Sequence, residues 1–132
     1  MAALDVHLVT PEREVWAGPA RMVVARGVSG EVGILPGHVP LLIRLAIARL
    51  RIQVDEGRWE VAVVDGGFLH VTSHEDTTRV DILASHAQMA NEIDAVAARA
   101  RADELQRQLG DRKDAQSQAE LRKALARANV IG

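Results

Sequence analysis

The segment at residues 27–42, GVSGEVGILPGHVPLL, is too rich in glycine and proline to form a helix. It holds four of the ten glycines and two of the four prolines. Glycine adopts backbone angles closed to other residues, and proline fixes φ and lacks an amide donor. The segment predicts a short strand over residues 31–35 and a shaped, exposed corner over residues 36–40. Such a corner presents a surface to a partner or closes a tight connection in a β-sandwich.

On both sides of this segment, apolar and polar residues alternate with the period of a β-strand. In residues 46–54, Arg49, Arg51 and Gln53 share one face, which we expect to contact water. Turn signals fall at residues 10–12, 18–19, 55–57, 65–67 and 74–76. They separate predicted strands at residues 4–8, 14–17, 21–26, 46–54, 59–64, 68–72 and 78–82. Short strands at this spacing indicate an all-β sandwich or barrel.

Length and composition exclude several classes of protein. A chain of 132 residues predicts one domain, with room for an appendage. The net charge of −2 gives no general attraction to nucleic acid, and an aromatic content of 2% leaves few rings for base stacking. The chain has no cysteine, which suits a reducing compartment. No apolar run is long enough to span a bilayer, and the N-terminal residues predict a strand and no signal peptide.

The composition changes at Ser85, after which the chain is rich in Ala, Arg, Gln, Glu and Leu. Ser85 and Gln88 fit a capping box, and an apolar stripe continues at helical spacing through Met89, Ile93, Val96, Ala100, Leu105 and Leu109. Gly110 fits the end of this helix, and Asp111 fits the cap of a second helix over residues 114–128. The sequence therefore predicts a sandwich domain at residues 1–85 and an antiparallel helical hairpin at residues 86–132. Small side chains should leave the hairpin weakly docked.

Charge divides the chain in the same way. Residues 1–85 carry eight Lys and Arg against eleven Asp and Glu, whereas residues 86–132 carry eight against seven. Five basic side chains fall within residues 112–127, namely Arg112, Lys113, Arg122, Lys123 and Arg127. They form either a solvated helix face or a basic surface that meets an acidic partner.

The sequence contains histidine, serine and acidic residues, but not in the arrangement that a metal site or an active site requires. His70 and His74 have the spacing of a helical zinc pair, but they fall on a strand and its turn, where that spacing does not converge on one ion. Ser29 lies outside a nucleophile elbow. Nothing brings Glu31 and Asp65 together as an acid and base pair. The sequence makes no case for catalysis.

Three motifs occur in order: VTPE at residues 9–12, GEVGILPGHVPLL at residues 30–42 and DGGFLHV at residues 65–71. With the order of strands and helices, they closely resemble the epsilon subunit of bacterial F-type ATP synthase over nearly the whole chain. The resemblance implies an α+β fold, an N-terminal antiparallel β-sandwich of about ten short strands followed by a C-terminal antiparallel two-helix hairpin. It implies a non-catalytic central-stalk (rotor) subunit at the cytoplasmic face of the inner membrane.

The resemblance also implies partners. The sandwich binds the gamma subunit and the ring of c subunits, with Glu31 as a ring contact and His38 as a gamma contact. His38 could equally hydrogen-bond its own loop. The hairpin extends to the catalytic head and restrains ATP hydrolysis, with Arg122, Lys123 and Arg127 meeting an acidic segment of the beta subunit.

One departure concerns nucleotide binding. Some family members bind ATP at a pattern like I-D-x-x-R-A, which here reads Ile93-Asp94-Ala95-Val96-Ala97-Ala98. Ala97 replaces the arginine that would face a phosphate, so we expect weak or no ATP binding and no cofactor.

Two alternatives to a rotor subunit stand beside this hypothesis. One is a free-standing β-sandwich adaptor with a helical tail. The other is a small hydrolase, which the missing nucleophile arrangement opposes.

Overall fold

Strands fill the first two thirds of the chain and two helices follow. The computed structural model describes residues 3–110, 112 and 114–130. The elements are β1 (Leu4–Val9), β2 (Glu14–Ala20), β3 (Met22–Gly27), β4 (Gly30–Ile34), β5 (Leu41–Asp55), β6 (Arg58–His74), β7 (Thr77–Ala84), β8 (Ala87–Met89), one turn of 3-10 helix (Ala90–Glu92), α1 (Ala95–Leu109) and α2 (Ala115–Ala128).

The strands form a single path of hydrogen-bonded neighbours that folds onto itself. The order is β2-β1-β7-β6-β5-β3-β4, and β1 and β7 are the parallel pair. Strand β6 pairs with β7 through residues 67–74 and with β8 through residues 62–64. At the end of the order, β2 packs against β5. The result is a sandwich whose aliphatic core includes Leu8, Leu50 and Ile82, all completely buried.

Residues 65–67 lie within a strand and not in the turn that the sequence predicted. The sequence predicted a turn there, but β6 continues through these residues for a total of 17. Gly66 and Gly67 have φ of +83° and +124°, so they change the direction of the backbone without ending the strand. The structure thus has eight strands among the described residues, because β5 and β6 are long.

Gly18 and Pro19 also lie in a strand where a turn was expected. They belong to β2, paired with Val6 and Asp5 of β1. Because β2 lies at the edge of the sheet, the missing amide of Pro19 costs no inner ladder bond.

The helical segment begins later than predicted. Ala87–Met89 form β8, and the side chains of Ala87 and Met89 enter the sandwich core. Asp94, and not Ser85, caps α1, because its carboxylate accepts a hydrogen bond of 3.0 Å from the amide of Ala97. The predicted stripe is therefore wrong at its start, and Val96 is 82% exposed.

The rest of the hairpin agrees with the sequence. Gly110 ends α1, and α2 covers the predicted second helix with Asp114 as its N-cap. Asp111, the predicted cap, lies outside the described residues. The two helices are antiparallel, since Arg99 near the start of α1 bonds Asn129 after the end of α2. Their shared core is small and consists of Ala102, Leu105 and Ala124, with Leu109, Leu121 and Leu125 partly buried around it.

Candidate functional site

The hairpin lies on the outer face of the sheet, where α2 contacts β5 and β6. All three of Arg49, Arg51 and Gln53, which the sequence predicted to face water, are half-buried, and the expectation is wrong for Arg49. Arg49 donates to the carbonyl of Val130 at 3.4 Å. Its neighbour in the register, Val63 of β6, is completely buried although it is outside the sandwich core. The outer face is therefore an interface within the chain.

Arg127 of α2 is the polar centre of this interface. Its Nη1 and Nη2 donate to the two carboxylate oxygens of Asp65, each at 2.8 Å. Its Nε donates to Oε1 of Gln88 at 2.6 Å, and Nη1 also donates to the carbonyl of Lys123 at 3.1 Å. The side chains of Asp65 and Arg127 are 5% and 15% exposed. A paired and hydrogen-bonded arrangement is what buried charges require.

The other two predicted basic contacts are more open. Arg122 is exposed and lines a groove between α2 and the sheet, together with Arg26, Glu31 and Arg49. Lys123 forms an ion pair of 3.4 Å with Glu120, one turn earlier on α2. Exposed pairs of this kind contribute about 0–1 kcal/mol, so Lys123 can leave its partner at little cost.

The glycine and proline corner after β4, taken with its flanking residues as residues 35–42, presents apolar side chains to solvent. Leu35, Val39 and Leu42 are 54%, 69% and 64% exposed. His38 is half-buried, and its Nδ1 lies 2.7 Å from the carbonyl oxygen of Val39, so the ring bonds its own loop. Glu31 is exposed on β4 opposite Arg26 of β3. Clustered exposed apolar residues mark an interaction surface.

A hydrogen bond to β7 holds the corner in place. The amide of Gly37 donates to the hydroxyl of Thr78 at 2.8 Å, and Thr78 is buried in β7. The amide of His38 donates to the carbonyl of Leu35 at 3.0 Å. The surface is therefore preformed, which reduces the entropy that a partner must overcome on binding.

Another ion pair connects the residue before β2 to the junction before α1. Arg13 donates two hydrogen bonds to Glu92, at 3.0 and 3.1 Å. The amide of Met89 donates to the same carboxylate at 2.9 Å. The Met89 hydrogen bond, followed by the Arg13 guanidinium, lowers the pKa of Glu92 below its ordinary value.

The structure does not assemble the candidate catalytic groups. His70 and His74 are exposed on β6, and Ser29 is exposed in the turn between β3 and β4. Asp65 is bound to Arg127, on a different strand from Glu31. Within residues 3–110, 112 and 114–130, no group of three His, Asp or Glu side chains could hold a metal ion. In the same part of the chain, no helix is long and apolar enough to cross a bilayer.

Residues 93–98, which depart from the ATP-binding pattern, have a structural role. Asp94 caps α1 through the amide of Ala97, and the Ala97 side chain is exposed. Arg99, two residues further, donates to Asn129 at 2.8 Å. The arginine next to the motif thus connects the two helices.

Sequence reasoning missed Asp65 and Gln88 as docking residues. Both were considered, one as a possible acid and the other as a cap, but their partner is 62 and 39 residues away from them in sequence. No local pattern reports a contact at that separation.

Comparison with known proteins agrees with this architecture. The family model "ATP synthase, Delta/Epsilon chain, beta-sandwich domain" matches residues 3–90. An ATP synthase epsilon chain of Thermobifida fusca is 46% identical over 129 residues, covering 95% of this chain and 86% of the relative. One from Nitrosococcus oceani is 41% identical over 132 residues, covering 97% and 91%.

Solved structures show the same fold. A chain of the Euglena gracilis mitochondrial ATP synthase superposes with a TM-score of 0.80 at 25% identity, covering 96% of this chain and 79% of its own length. One from the Tetrahymena thermophila mitochondrial ATP synthase gives 0.57 at 16% identity, covering 96% and 92%. The fold and the sequence match agree: this is a β-sandwich chain of ATP synthase with a C-terminal helical hairpin. The chain belongs to the delta/epsilon chain family of ATP synthase.

Proposed function

We propose that the chain is the epsilon-type, non-catalytic rotor subunit in the central stalk of a proton-translocating F-type ATP synthase. The observation that carries this is the family match over the sandwich, continued through the hairpin by relatives that align with nearly the whole chain. The sandwich couples the catalytic head to the ring of c subunits, and the hairpin restrains ATP hydrolysis.

Two surfaces of the sandwich fit the two stalk partners. The apolar corner with Val39 and Leu42 suits the gamma subunit, and His38 at its centre is the proposed gamma contact. Glu31 is exposed on β4 and free to meet the c ring. Because the chain has no helix of membrane-spanning length among its described residues, it reaches the cytoplasmic face of the inner membrane through these partners.

The hairpin is the regulatory part. Its described core buries only three side chains, so it is a small unit that can separate from the sandwich without breaking the main core. Arg122, Lys123 and Arg127 are its proposed contacts with an acidic segment of the beta subunit. The predicted division at residues 1–85 and 86–132 remains a proposal. Because β8 (Ala87–Met89) packs with the sandwich, we propose that the two functional parts meet between Met89 and Asp94.

The test is ATP hydrolysis by the assembled catalytic head with the full chain or with a chain that ends at Ile93. We expect faster hydrolysis with the shortened chain. A matched comparison uses Arg122→Glu with Lys123→Glu, which should also raise hydrolysis, and Arg112→Glu on the interhelix segment, which should not. Equal rates for the full and shortened chains would overturn the regulatory proposal, and failure of the full chain to bind the stalk would overturn the coupling proposal.

A further inference from the structure

The outer face of the sheet contains a site shaped for one guanidinium. Asp65 and Val63 alternate with Ala62 and Val64 along β6, and the latter two face the sandwich core. Asp65 and Val63 therefore face the hairpin. Gln88 of β8 lies directly opposite Val63 in the register. Two strands thus present a carboxylate and an amide oxygen on the same side.

This site uses the fork of donors that distinguishes arginine from lysine. Two nitrogens of Arg127 bind the two oxygens of Asp65, and the third nitrogen binds Gln88. A lysine ammonium could not make the parallel pair to the carboxylate and reach Gln88 in the same plane. The site is therefore specific for arginine at this position of α2.

The pair differs from the other ion pairs of the structure in its burial. The Arg107–Glu104 and Lys123–Glu120 pairs lie within one helix, and their side chains are 37–70% exposed. In the Asp65–Arg127 pair, by contrast, the two side chains are 5% and 15% exposed. Removing one partner leaves a buried charge uncompensated, so the remaining contacts of a small apolar interface would not hold the hairpin as firmly.

We propose that Asp65 and Gln88 form a latch that holds the hairpin on the sandwich by binding Arg127. The guanidinium is enclosed while the latch is closed, so Arg127 is either held by Asp65 or available to an acidic partner. The second half of this statement rests on the proposed function, because it requires that the partner exists. The latch itself is a property of the isolated chain.

The latch predicts opposite effects from the two halves of one ion pair. Asp65→Asn opens the latch and leaves Arg127 free to bind, so it should strengthen the restraint on hydrolysis. Arg127→Gln opens the latch and removes the binding group, so it should weaken the restraint. If the pair served stability alone, Asp65→Asn and Arg127→Gln would shift the rate of hydrolysis in the same direction.

Opening can be measured on the full chain by thiol labelling, since the natural sequence has no cysteine. Val63→Cys reports undocking, because this side chain is completely buried on the hairpin side of β6. Ala62→Cys, one residue earlier and facing the core, reports only opening of the sandwich. We expect Asp65→Asn and Arg127→Gln to speed labelling at position 63 at least tenfold and to change labelling at position 62 less than twofold.

Two charge controls complete the design. Asp76→Asn, in the exposed turn between β6 and β7, and Arg112→Gln, between the helices, remove the same charges without touching the latch, and should leave labelling at position 63 within twofold. Equal labelling in Asp65→Asn and Asp76→Asn would overturn the latch.

Hydrolysis by the catalytic head is measured on the same variants without the cysteines. Faster labelling with opposite shifts in hydrolysis supports the latch and its release of Arg127. Faster labelling with unchanged hydrolysis keeps the latch and overturns the release of Arg127 to an acidic partner. Unchanged labelling overturns the latch, whatever the hydrolysis rates are.

Discussion

Gly67 of β6 lies so close to the backbone of Leu83 in β7 that a Cβ atom on Gly67 would overlap the carbonyl oxygen of Leu83. The same residue has φ of +124°, which side chains rarely adopt. Replacement with alanine adds a backbone collision to conformational strain, so we expect Gly67→Ala to lower the free energy of unfolding by about 3 kcal/mol. Urea unfolding followed by circular dichroism measures the change.

Gly33 provides the matched control for this prediction. It lies on β4 with no atom within 4 Å of a Cβ position and no positive φ. Gly33→Ala should change the unfolding free energy by less than about 0.5 kcal/mol. Equal changes in unfolding free energy at the two positions would show that the close approach to Leu83 does not make a side chain at position 67 destabilising.

The position of β8 predicts where the chain can be shortened. Ala87 and Met89 are 1% and 8% exposed in the sandwich core. A chain ending at Ile93 keeps β8, whereas a chain ending at Ser85 exposes the apolar surface that β8 covers. We expect the first to unfold cooperatively near the melting temperature of the full chain and the second to melt lower by at least about 5 °C, since about 1 kcal/mol shifts Tm by 4–8 °C in a domain of this size.

Differential scanning calorimetry distinguishes the two shortened chains. If both melted at one temperature, β8 would contribute nothing to the sandwich. If the chain ending at Ile93 did not fold, the sandwich would depend on the hairpin.

The exposed corner predicts a variant that binds its partner less well and still folds. Leu42 is 64% exposed, so Leu42→Ser should change stability by less than about 0.5 kcal/mol. If the corner meets the gamma subunit, loss of a leucine that binding buries should weaken the affinity at least about tenfold, since burial of such a side chain is worth about 1.5–3 kcal/mol. Surface plasmon resonance with the stalk partner measures the affinity.

Val96 is the control for the corner. Among the described residues it is the most exposed of the large apolar side chains, at 82%, but it lies on α1. Val96→Ser should leave the affinity for the stalk partner unchanged. A similar loss from both variants would place the interface elsewhere.

ATP binding by the isolated chain should be weak or absent. The position where a phosphate-binding arginine would stand is Ala97, and the neighbouring Arg99 already bonds Asn129. A methyl group offers no donor to a phosphate, so titration calorimetry should detect no binding at micromolar concentrations. Ala97→Arg restores the missing donor, so it should increase the affinity for ATP. Arg101→Gln should not reduce the affinity for ATP. Micromolar affinity of the natural chain would contradict the prediction.

The fold could be predicted from the sequence where the cause is local. Alternation of apolar and polar side chains located β1 and β7, and the helical pattern of residues 114–128 located α2. The errors arose where tertiary context outweighs local signals. Gly66 and Gly67 have the composition of a turn, but β5 and β7 on either side keep β6 continuous. Ser85 and Gln88 have the spacing of a capping box, but pairing with β6 draws the following residues into the sheet.

The candidate site was only partly predictable for the same reason. The basic character of α2 is visible in the sequence, and so is the exposed corner. The docking of Arg127 on Asp65 depends on the direction in which each side chain leaves its element, which requires the strand register. The family resemblance therefore implied Arg127 as a contact for another subunit, and the sequence could not show that a partner of Arg127 lies within the chain.

Acid should weaken the junction before α1 through Glu92. The amide of Met89 and the guanidinium of Arg13 bind its carboxylate, and they lower its pKa in the folded chain below the ordinary value of 4.5. A carboxylate with a lowered pKa stabilises the folded state above the unfolded-state pKa, and this contribution is lost as the pH falls through the folded-state pKa. The difference in Tm between the natural chain and Glu92→Gln should thus be largest near pH 7 and should shrink below pH 4.5. Arg13→Gln removes the second cause of the shift, so it should reduce this pH dependence without abolishing it. A Tm difference that stayed constant from pH 7 to pH 3 would show that the charge of Glu92 does not stabilise the junction.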